Sequence, residues 1–359
     1  MEGDRFLWEF ISSDHAMQRI ELIHHKRMFW KRRWHFESAW INDSRCERIV
    51  STEMERCDGN IGNFLHQLSS TKQKLGHQNP NPIKEIQVQI QKKKKEMGIR
   101  TLSSFIVGPL NIEKKNTIWA FKKDSGEWAE SQEELEDEAC DFFTKLFSSS
   151  RPTLIEHVLT AIHPKVFEDM NIELNADITV EEVRAALFQM HPTKAPSLDG
   201  LPALFFQKYW YKMSKFVHRF VVEFLEGSFP FQDINHTLIV LIPKIAQVEQ
   251  IFQFRPINLC NVLYKITSKV LTNRIKPILN QVIADNQSAF VPGRLILDNI
   301  IVAHEIIHHL HNKRQGSMGK FALKLDMSKA YDRVEWVFVQ EIMKKMGFNN
   351  LFVDKVMNA

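Results

Sequence analysis

The spacing of apolar residues changes along this chain, and that change restricts the possible folds more than any other feature. Before residue 236, apolar residues recur every three or four positions in several stretches, which is the spacing of helices with one buried face. Leu238 to Ile242 then form a short continuous apolar run that stops at Pro243, the pattern of a buried strand. Helical spacing returns from Asn258 to Ile275. These patterns predict an α+β fold in which helices outnumber strands.

Capping residues and turn formers locate several helix ends. Ser131 followed by Glu134 has the form of a capping box at the start of a helix with an acidic outer face. A second helix is predicted from Val180 to Met190, and a third from Pro202 to about Phe224. Asp298 is predicted to cap a further helix that runs through Leu310.

A second strand pattern lies near the C-terminus, where Phe321, Leu323 and Leu325 alternate with more polar residues. Asp326 follows directly, and the next residues return to a helical pattern. A carboxylate at the end of a strand, before a tight turn into a helix, is well placed to bind a metal ion. One reaction that needs a metal ligand at such a position is nucleotide transfer to a primer 3′ hydroxyl, which uses two divalent ions roughly 3.5 to 4 Å apart. Asp326 is therefore the candidate ligand for both ions, and the backbone carbonyl of Met327 is a further oxygen donor.

Length and composition argue against membrane-spanning and secreted proteins. The 359 residues can form two or three domains, and 44% hydrophobic with 25% charged residues is typical of a globular chain. Apolar runs are much shorter than the roughly 18 residues of a membrane span, and the N-terminus lacks a secretory pattern. The four cysteines have neither zinc-site nor CxxC spacing. We expect an intracellular protein, nuclear or cytoplasmic, with no disulfides and no membrane partner.

The formal net charge is only +4, but the charges are unevenly distributed. Residues His24 to Phe36 read HHKRMFWKRRWHF, which fits either a nucleic-acid-binding face or an amphipathic helix with aromatic residues in the core. Lys92 to Lys95 form a second basic run, typical of a solvated helix face. Between Phe254 and Arg294 six cations accompany a single acid, Asp285. These six residues, which we call the basic block, are Arg255, Lys265, Lys269, Arg274, Lys276 and Arg294.

Several ordered blocks give the chain a specific resemblance to a known family. They read HTLIVLIPK, FRPINLCNVLYKITSKVLTNRIK, QSAFVPGRLILDNIIVAHEIIHHL and FALKLDMSKAYDRVEW. From about Ile178 to the C-terminus the chain resembles the reverse transcriptase of LINE-type (non-LTR) retrotransposons, most closely those of plants. The first half is similar, more loosely, to the linker between the nuclease and polymerase domains of such elements.

The resemblance implies a fold and a domain order. It implies a mostly helical N-terminal region followed by the fingers and partial palm of a right-hand polymerase. Residues 1–125 would be a linker-like region, residues 126–235 a helical extension, and residues 236–359 the N-terminal part of the reverse transcriptase domain.

The resemblance also implies roles for individual residues. Asp326 matches the first catalytic metal-binding aspartate, and Tyr331 matches the aromatic residue that stacks under the incoming sugar and excludes a 2′ hydroxyl. Arg255 matches an arginine that holds the nucleotide triphosphate, while Lys244 and Arg294 are candidate phosphate or template contacts. Further nucleic-acid contacts are expected from Lys265, Lys269, Arg274 and Lys276. The implied cofactor is Mg²⁺ or Mn²⁺, and the implied partners are an RNA template, a DNA primer and deoxynucleotide triphosphates. The residues alone are equally compatible with salt bridges for Arg255 and Arg294 and with a core position for Tyr331.

Two departures from the family pattern stand out. The family loop Lys-Ala-Pro-Gly-Pro-Asp-Gly has Ser197 and Leu198 in place of its Gly and second Pro. Only 33 residues follow Asp326, and they contain neither the Tyr-Ala-Asp-Asp hairpin, which supplies the remaining catalytic carboxylates, nor the thumb. We therefore expect a truncated polymerase that does not synthesise DNA by itself.

Two other functions remain open from the residues. His304, Glu305 and His308 satisfy H-E-x-x-H, in which two histidines one helical turn apart bind zinc and the glutamate activates water for hydrolysis. The basic block could instead bind RNA or an RNA–DNA duplex without catalysis, and such binding would weaken with salt.

Overall fold

The computed structural model describes residues 19–20, 34–78, 118–228, 234, 236–313 and 320–359, apart from positions 119, 124, 246 and 328. Helices dominate these ranges. They are α1 Ser44–Glu55, α2 Ile61–Gln78, α3 Gln132–Phe147, α4 Ile155–Leu159, α5 Glu168–Asn175, α6 Val180–Phe188, α7 Ala203–Lys208, α8 Trp210–Leu225, α9 Val262–Ile275, α10 Leu279–Val282, α11 Ile296–Asn312, α12 Ala330–Arg333, α13 Trp336–Met346 and α14 Asn350–Asn358.

The described strands form two small sheets. They are β1 Arg19–Ile20, β2 Phe121–Lys122, β3 Trp128–Ala129, β4 His236–Pro243 and β5 Phe254–Leu259. In the larger sheet, β4 lies between β1, which runs parallel to it, and β5, which pairs antiparallel in a register that places Ile242 opposite Arg255. Strands β2 and β3 form an antiparallel pair.

The chain divides into two compact units, each made of two segments. Unit 1 contains residues 1–145 and 178–267, and unit 2 contains residues 146–177 and 268–359. This division differs from the three consecutive regions implied by the resemblance, because each unit combines residues that are far apart in the sequence.

The core of unit 1 is built around α8, whose buried face packs against α6 and α2. Aromatic residues fill much of this core: Phe64 of α2 stacks on Phe216 with ring centroids 5.4 Å apart. Phe36 is buried against Phe205 and Tyr209, so this end of the basic and aromatic segment is core. Residues 24–33 of that segment and Lys92 to Lys95 lie outside the described residues.

In unit 2 a buried asparagine joins α5 to the turn between α13 and α14. Asn171 donates through Nδ2 to the carbonyl of Gly347 at 2.8 Å, and its Oδ1 accepts the backbone N–H of Asn349 at 2.8 Å. The backbone N–H groups of Lys165 and Val166 both donate to the carbonyl of Met346. These bonds satisfy buried polar groups at a helix end, where a helix has no internal partners for them.

Most of the predicted elements are present. The run from Leu238 to Ile242 lies in β4, with Leu238 and Ile239 buried. The second predicted helix is α6, and the third is interrupted at Tyr209 to give α7 and α8. The capping box is confirmed, because Ser131 Oγ accepts the N–H of Glu134 at 3.2 Å and Glu134 Oε2 accepts the N–H of Ser131.

Three details differ from prediction. Asn258 lies in β5, so the helix that follows begins only at Val262. Asp298 lies in the first turn of α11 and does not cap it, because the N-cap position is Leu295. The strand predicted at Phe321 to Leu325 is wrong: residues 320–327 are irregular. A strand needs a neighbouring strand for its hydrogen bonds, and no described strand pairs with this segment.

No helix in the described ranges is long and apolar enough to cross a membrane. All four cysteines lie in described ranges and are free thiols, as expected from their spacing.

Candidate functional site

Asp326 lies at the end of the irregular segment 320–327 in unit 2, and its carboxylate is exposed. The three apolar residues before it are exposed as well, with Phe321 at 87% and Leu325 at 83% of full exposure. Met327, the next residue, is also exposed, at 67%. The segment therefore presents the Asp326 carboxylate to solvent.

Tyr331 lies in the short helix α12, which begins after Lys329 adopts the left-handed region at φ 53°. The tyrosine ring is 79% exposed and meets the ring of Phe290 edge to face, with centroids 6.1 Å apart. Phe290 is itself 80% exposed and has φ 64°, which is rare for a bulky residue. The fold thus holds two aromatic rings together at the surface of unit 2.

The sequence did not identify Phe290 as the neighbour of Tyr331, because the two are 41 positions apart. The available signal was the adjacent Pro292 and Gly293, which mark a turn but do not show which side chain that turn presents.

Glu335 follows α12 and holds it to another segment of unit 2. Its Oε1 accepts the backbone N–H of Ser150 at 2.7 Å and the hydroxyl of the same residue at 2.8 Å. A hydrogen bond from the Ser149 side chain, with those from Ser150, outweighs the effect of burial and lowers the pKa of Glu335. This carboxylate stabilises the fold around the candidate site.

Arg294 closes the turn that carries Phe290. Its guanidinium donates to four backbone carbonyls at and beyond the end of α10, including those of Gln287 at 2.8 Å and Ile283 at 3.1 Å. The side chain is only 15% exposed. A guanidinium has five N–H donors in one plane and can bind several carbonyls at once. Helix ends provide such carbonyls, because their last carbonyls have no partner within the helix. The geometry therefore gives Arg294 a local structural role.

Arg274 has a similar environment at the end of α5. It donates to the carbonyls of Leu174, Ala176 and Asp177, at 3.0 Å for the first and 2.9 Å for the last. Two of the six cations in the basic block thus hold helix ends within unit 2.

The β4–β5 hairpin of unit 1 carries the other two candidate phosphate contacts. Lys244 donates through Nζ to the carbonyl of Phe252 at 3.0 Å and so helps to close the hairpin loop. Arg255 is exposed on β5, and its guanidinium has no hydrogen-bond or ion-pair partner among the described residues. Of the two, Arg255 is the more available to a ligand.

Residues 242–358 match the reverse transcriptase (RNA-dependent DNA polymerase) family model. This reverse transcriptase segment, about a third of the chain, contains Asp326, Tyr331, Arg255 and the basic block. The match implies a right-hand polymerase fold.

Two relatives are proteins of mobile elements. The chain is 33% identical over 227 residues, 62% of its length, to the transposon TX1 uncharacterized 149 kDa protein of Xenopus laevis. Over 133 residues, 37% of its length, it is 27% identical to the retrovirus-related Pol polyprotein from type-2 retrotransposable element R2DM of Drosophila melanogaster. The alignments cover 17% and 12% of these relatives, so the chain spans less than a fifth of either.

The three lysines of the basic block are half-buried along α9 and just beyond it, at positions 265, 269 and 276. Lys265 acts electrostatically on Asp199 in unit 1. Burial raises the pKa of that carboxyl group, and the N–H of Leu201, Lys72 and Lys265 oppose the shift.

Asp199 belongs to the loop in which the sequence departs from the family pattern. The turn closes with Gly200 donating to the carbonyl of Ser197 at 3.1 Å, and Lys72 donates to the carbonyl of Leu198. Gly200 has φ 74°, and a Cβ there would clash with the carbonyl oxygen of Trp34. The turn thus forms with Ser197 and Leu198 in place.

The donors at Asp326 fit a divalent cation only in part. A carboxylate and a backbone carbonyl are the oxygen ligands that Mg²⁺ prefers. Within the described ranges, however, no three His, Cys, Asp or Glu side chains are grouped closely enough to hold a metal ion. The donor set at Asp326 is therefore incomplete.

The H-E-x-x-H motif lies in α11, and its residues are exposed. The rings of His304 and His308 are nearly parallel, with centroids 6.3 Å apart. No third metal-binding side chain joins them among the residues that the structure describes. A catalytic zinc site usually has three protein ligands.

Proposed function

We propose that this chain is part of the RNA-directed DNA polymerase of a LINE-type retrotransposon. The reaction is transfer of a deoxynucleotide to the 3′ hydroxyl of a DNA primer on an RNA template. The match of residues 242–358 to the reverse transcriptase family is the observation that carries this proposal. The exposed Asp326 and, five residues later, the exposed Tyr331 within that segment support it.

The proposal gives roles to two side chains of unit 2 and, separately, to Arg255 of unit 1. Asp326, with the carbonyl of Met327, contributes ligands to Mg²⁺, or Mn²⁺ in its place. Tyr331 lies under the incoming sugar, where a ring excludes the 2′ hydroxyl of a ribonucleotide by contact. Arg255 binds the triphosphate, since a guanidinium offers paired donors to phosphate oxygens. Its lack of a partner among the described residues supports this assignment.

Lys269 and Lys276 are the proposed contacts to the nucleic-acid backbone in unit 2. Lys265 is a separate proposed contact in unit 1. Arg274 and Arg294 also belong to the basic block, but their guanidinium groups already donate to several carbonyls. We assign these two arginines to holding the helices that carry the lysines and the aromatic pair. Lys244 has a similar supporting role in the hairpin.

We further propose that this chain does not extend a primer by itself. One exposed carboxylate retains a hydrated divalent cation weakly, and two cations repel each other strongly unless several carboxylates hold them. Asp326 is the only carboxylate that the proposal places at the metal position.

Primer extension on poly(rA) annealed to oligo(dT), with Mg²⁺ or Mn²⁺, tests this directly. We expect no product above background from the wild-type chain or from Asp326→Ala. Extension by the wild-type chain that Asp326→Ala abolishes would disprove inactivity while supporting the assignment of Asp326.

Filter binding of the same primer–template at two ionic strengths tests the nucleic-acid contacts independently of catalysis. We expect affinity to fall steeply with salt, and each of Lys269→Gln and Lys276→Gln to reduce the salt slope by about 1. Lys345 lies at an exposed position of α13 outside the basic block, so Lys345→Gln is the matched control and should leave the slope unchanged. Equal slopes for all four proteins would refute the lysine contacts.

A further inference from the structure

Helix α11 of unit 2 is apolar and exposed along its whole length. None of its residues is buried, and Leu297, Ile300, Ile301, Val302, Ile306 and Ile307 are each more than half exposed. A helix with so much apolar surface is normally covered by another element. Large exposed apolar patches of this kind mark interaction surfaces.

One face of α11 has the composition of a helix-pairing seam. At 100° per residue, Leu297, His304 and His311 lie on one line, with Ile300 and Ile307 beside them. This is the spacing of the a and d positions of a heptad repeat, which two helices use to pack side by side. The seam contains no Asp, Glu, Lys or Arg, and the acids of the helix, Asp298 and Glu305, lie on another side.

His304 and His308 form half of a zinc site within this surface. Their rings are one helical turn apart and nearly parallel, with 12° between the ring planes. A ring nitrogen of His308 lies 2.9 Å from the side-chain amide of Asn312, which is exposed and easily displaced. Zinc takes four ligands in a tetrahedron, and its bonds to histidine nitrogen are about 2.0–2.1 Å. Two histidines on one helix therefore leave two positions of the tetrahedron open.

A second copy of the same chain would supply two further histidines and an apolar face to cover this one. In an antiparallel pair of identical helices, residues near the two-fold axis meet their own counterparts. A two-fold axis at the level of residue 306 is two positions from the middle of Ile296–Asn312 and midway between His304 and His308. Such an axis brings His304 of each copy opposite His308 of the other, while the charge-free seams bury each other's apolar residues.

We propose that two copies of this chain associate through α11 and share one Zn²⁺, bound by His304 and His308 of each copy. This site is structural and needs no hydrolytic role for Glu305. It is independent of the polymerase assignment, since Asp326, Tyr331 and Arg255 take no part in it.

Sedimentation equilibrium of the purified full chain tests the proposal. After treatment with EDTA the protein is measured without metal and with ZnCl₂ at half a molar equivalent. We expect the mass to double from 42.1 kDa with zinc, at one zinc per two chains, and to return to that value with excess EDTA. Co²⁺ in place of zinc should give the strong visible absorption of a tetrahedral site. A mass that does not respond to zinc, or one zinc bound per chain without doubling, would overturn the shared site.

Variants on the two sides of α11 distinguish the shared zinc site from nonspecific association. His304→Ala and His308→Ala should each abolish zinc-dependent doubling, whereas His309→Ala, on another side of the helix, should retain it. Ile300→Glu places a charge in the seam and should prevent doubling, while Val302→Glu, on the opposite side, should not. Circular dichroism checks that all variants keep their helix content. Doubling that persists in His304→Ala would contradict the proposal.

Discussion

Arg294 shows how the same residue can be interpreted as a ligand contact in the sequence and as a structural residue in the fold. A basic residue after Pro-Gly suits a phosphate contact, and nothing in the sequence indicates that four backbone carbonyls surround it. The structure brings these carbonyls to one guanidinium because α10 ends beside the turn.

Replacement of Arg294 by lysine should therefore destabilise unit 2. Lysine keeps the charge but cannot span several carbonyls at once, so we expect a loss of about 2 kcal/mol, the scale of a few hydrogen bonds to a charged group. Urea denaturation monitored by circular dichroism measures this. Arg255→Lys, on an exposed site, should change the free energy of unfolding by less than about 0.5 kcal/mol. Equal effects of the two substitutions would contradict the structural role.

Gly347 is required for two reasons that a pair of variants can separate. Its φ is 95°, and an added Cβ would lie 2.5 Å from the carbonyl oxygen of Val166. Gly293 has φ 81° in the same unit, with open space around it. We expect Gly293→Ala to cost about 1 kcal/mol from backbone strain alone, and Gly347→Ala to cost clearly more because of the clash. Similar losses in urea denaturation would show that the turn relaxes around the methyl group.

Among the elements, α3 is the one whose start can be assigned from the sequence with greatest detail. Ser131 and Glu134 form the capping box that their spacing indicates, because such boxes depend on residues within one turn. Lys123 also donates to Glu134, from a strand hairpin that the sequence did not connect to this helix.

These bonds make the stability of α3 depend on pH. The N–H of Ser131 and the side chain of Lys123 are the main causes that lower the pKa of Glu134 to about 2, from 4.5 in the unfolded chain. Because the folded pKa is the lower one, the stabilisation is present above pH 4.5 and is lost as pH falls towards 2. We expect Glu134→Gln to reduce the loss of helical circular dichroism over that range. Glu133→Gln, one residue away and outside the box, is the control and should follow the wild-type curve.

The segment 320–327 shows where element prediction from pattern fails. Alternating Phe321, Leu323 and Leu325 satisfy the two-residue period of a strand, but the period describes only which face would be buried. Whether a strand forms depends on a partner strand and a covering layer. No described strand pairs with the segment, and its apolar side chains remain in solvent.

At the scale of the whole molecule, exposed apolar residues are expected to limit solubility. Leu323 is 71% exposed in the unpaired segment, and such segments associate with each other. Leu323→Glu should raise the soluble fraction after concentration while changing the free energy of unfolding by less than about 0.5 kcal/mol. Lys324→Glu, which replaces one polar residue by another, should not improve solubility. A large loss of stability in Leu323→Glu would instead show that Leu323 is packed.

Sequence pattern alone was enough to predict several of the helices, among them α3, α6 and α11, the buried strand β4, and the resemblance to reverse transcriptases. Each depends on neighbours in the chain: helix caps, apolar periods and ordered motif blocks are local. Tertiary structure alone decided which cations bind carbonyls, which aromatic ring meets Tyr331, and how distant segments combine into two units. Those outcomes depend on contacts between residues from 7 to 178 positions apart, because packing and hydrogen-bond geometry select partners that sequence spacing cannot specify.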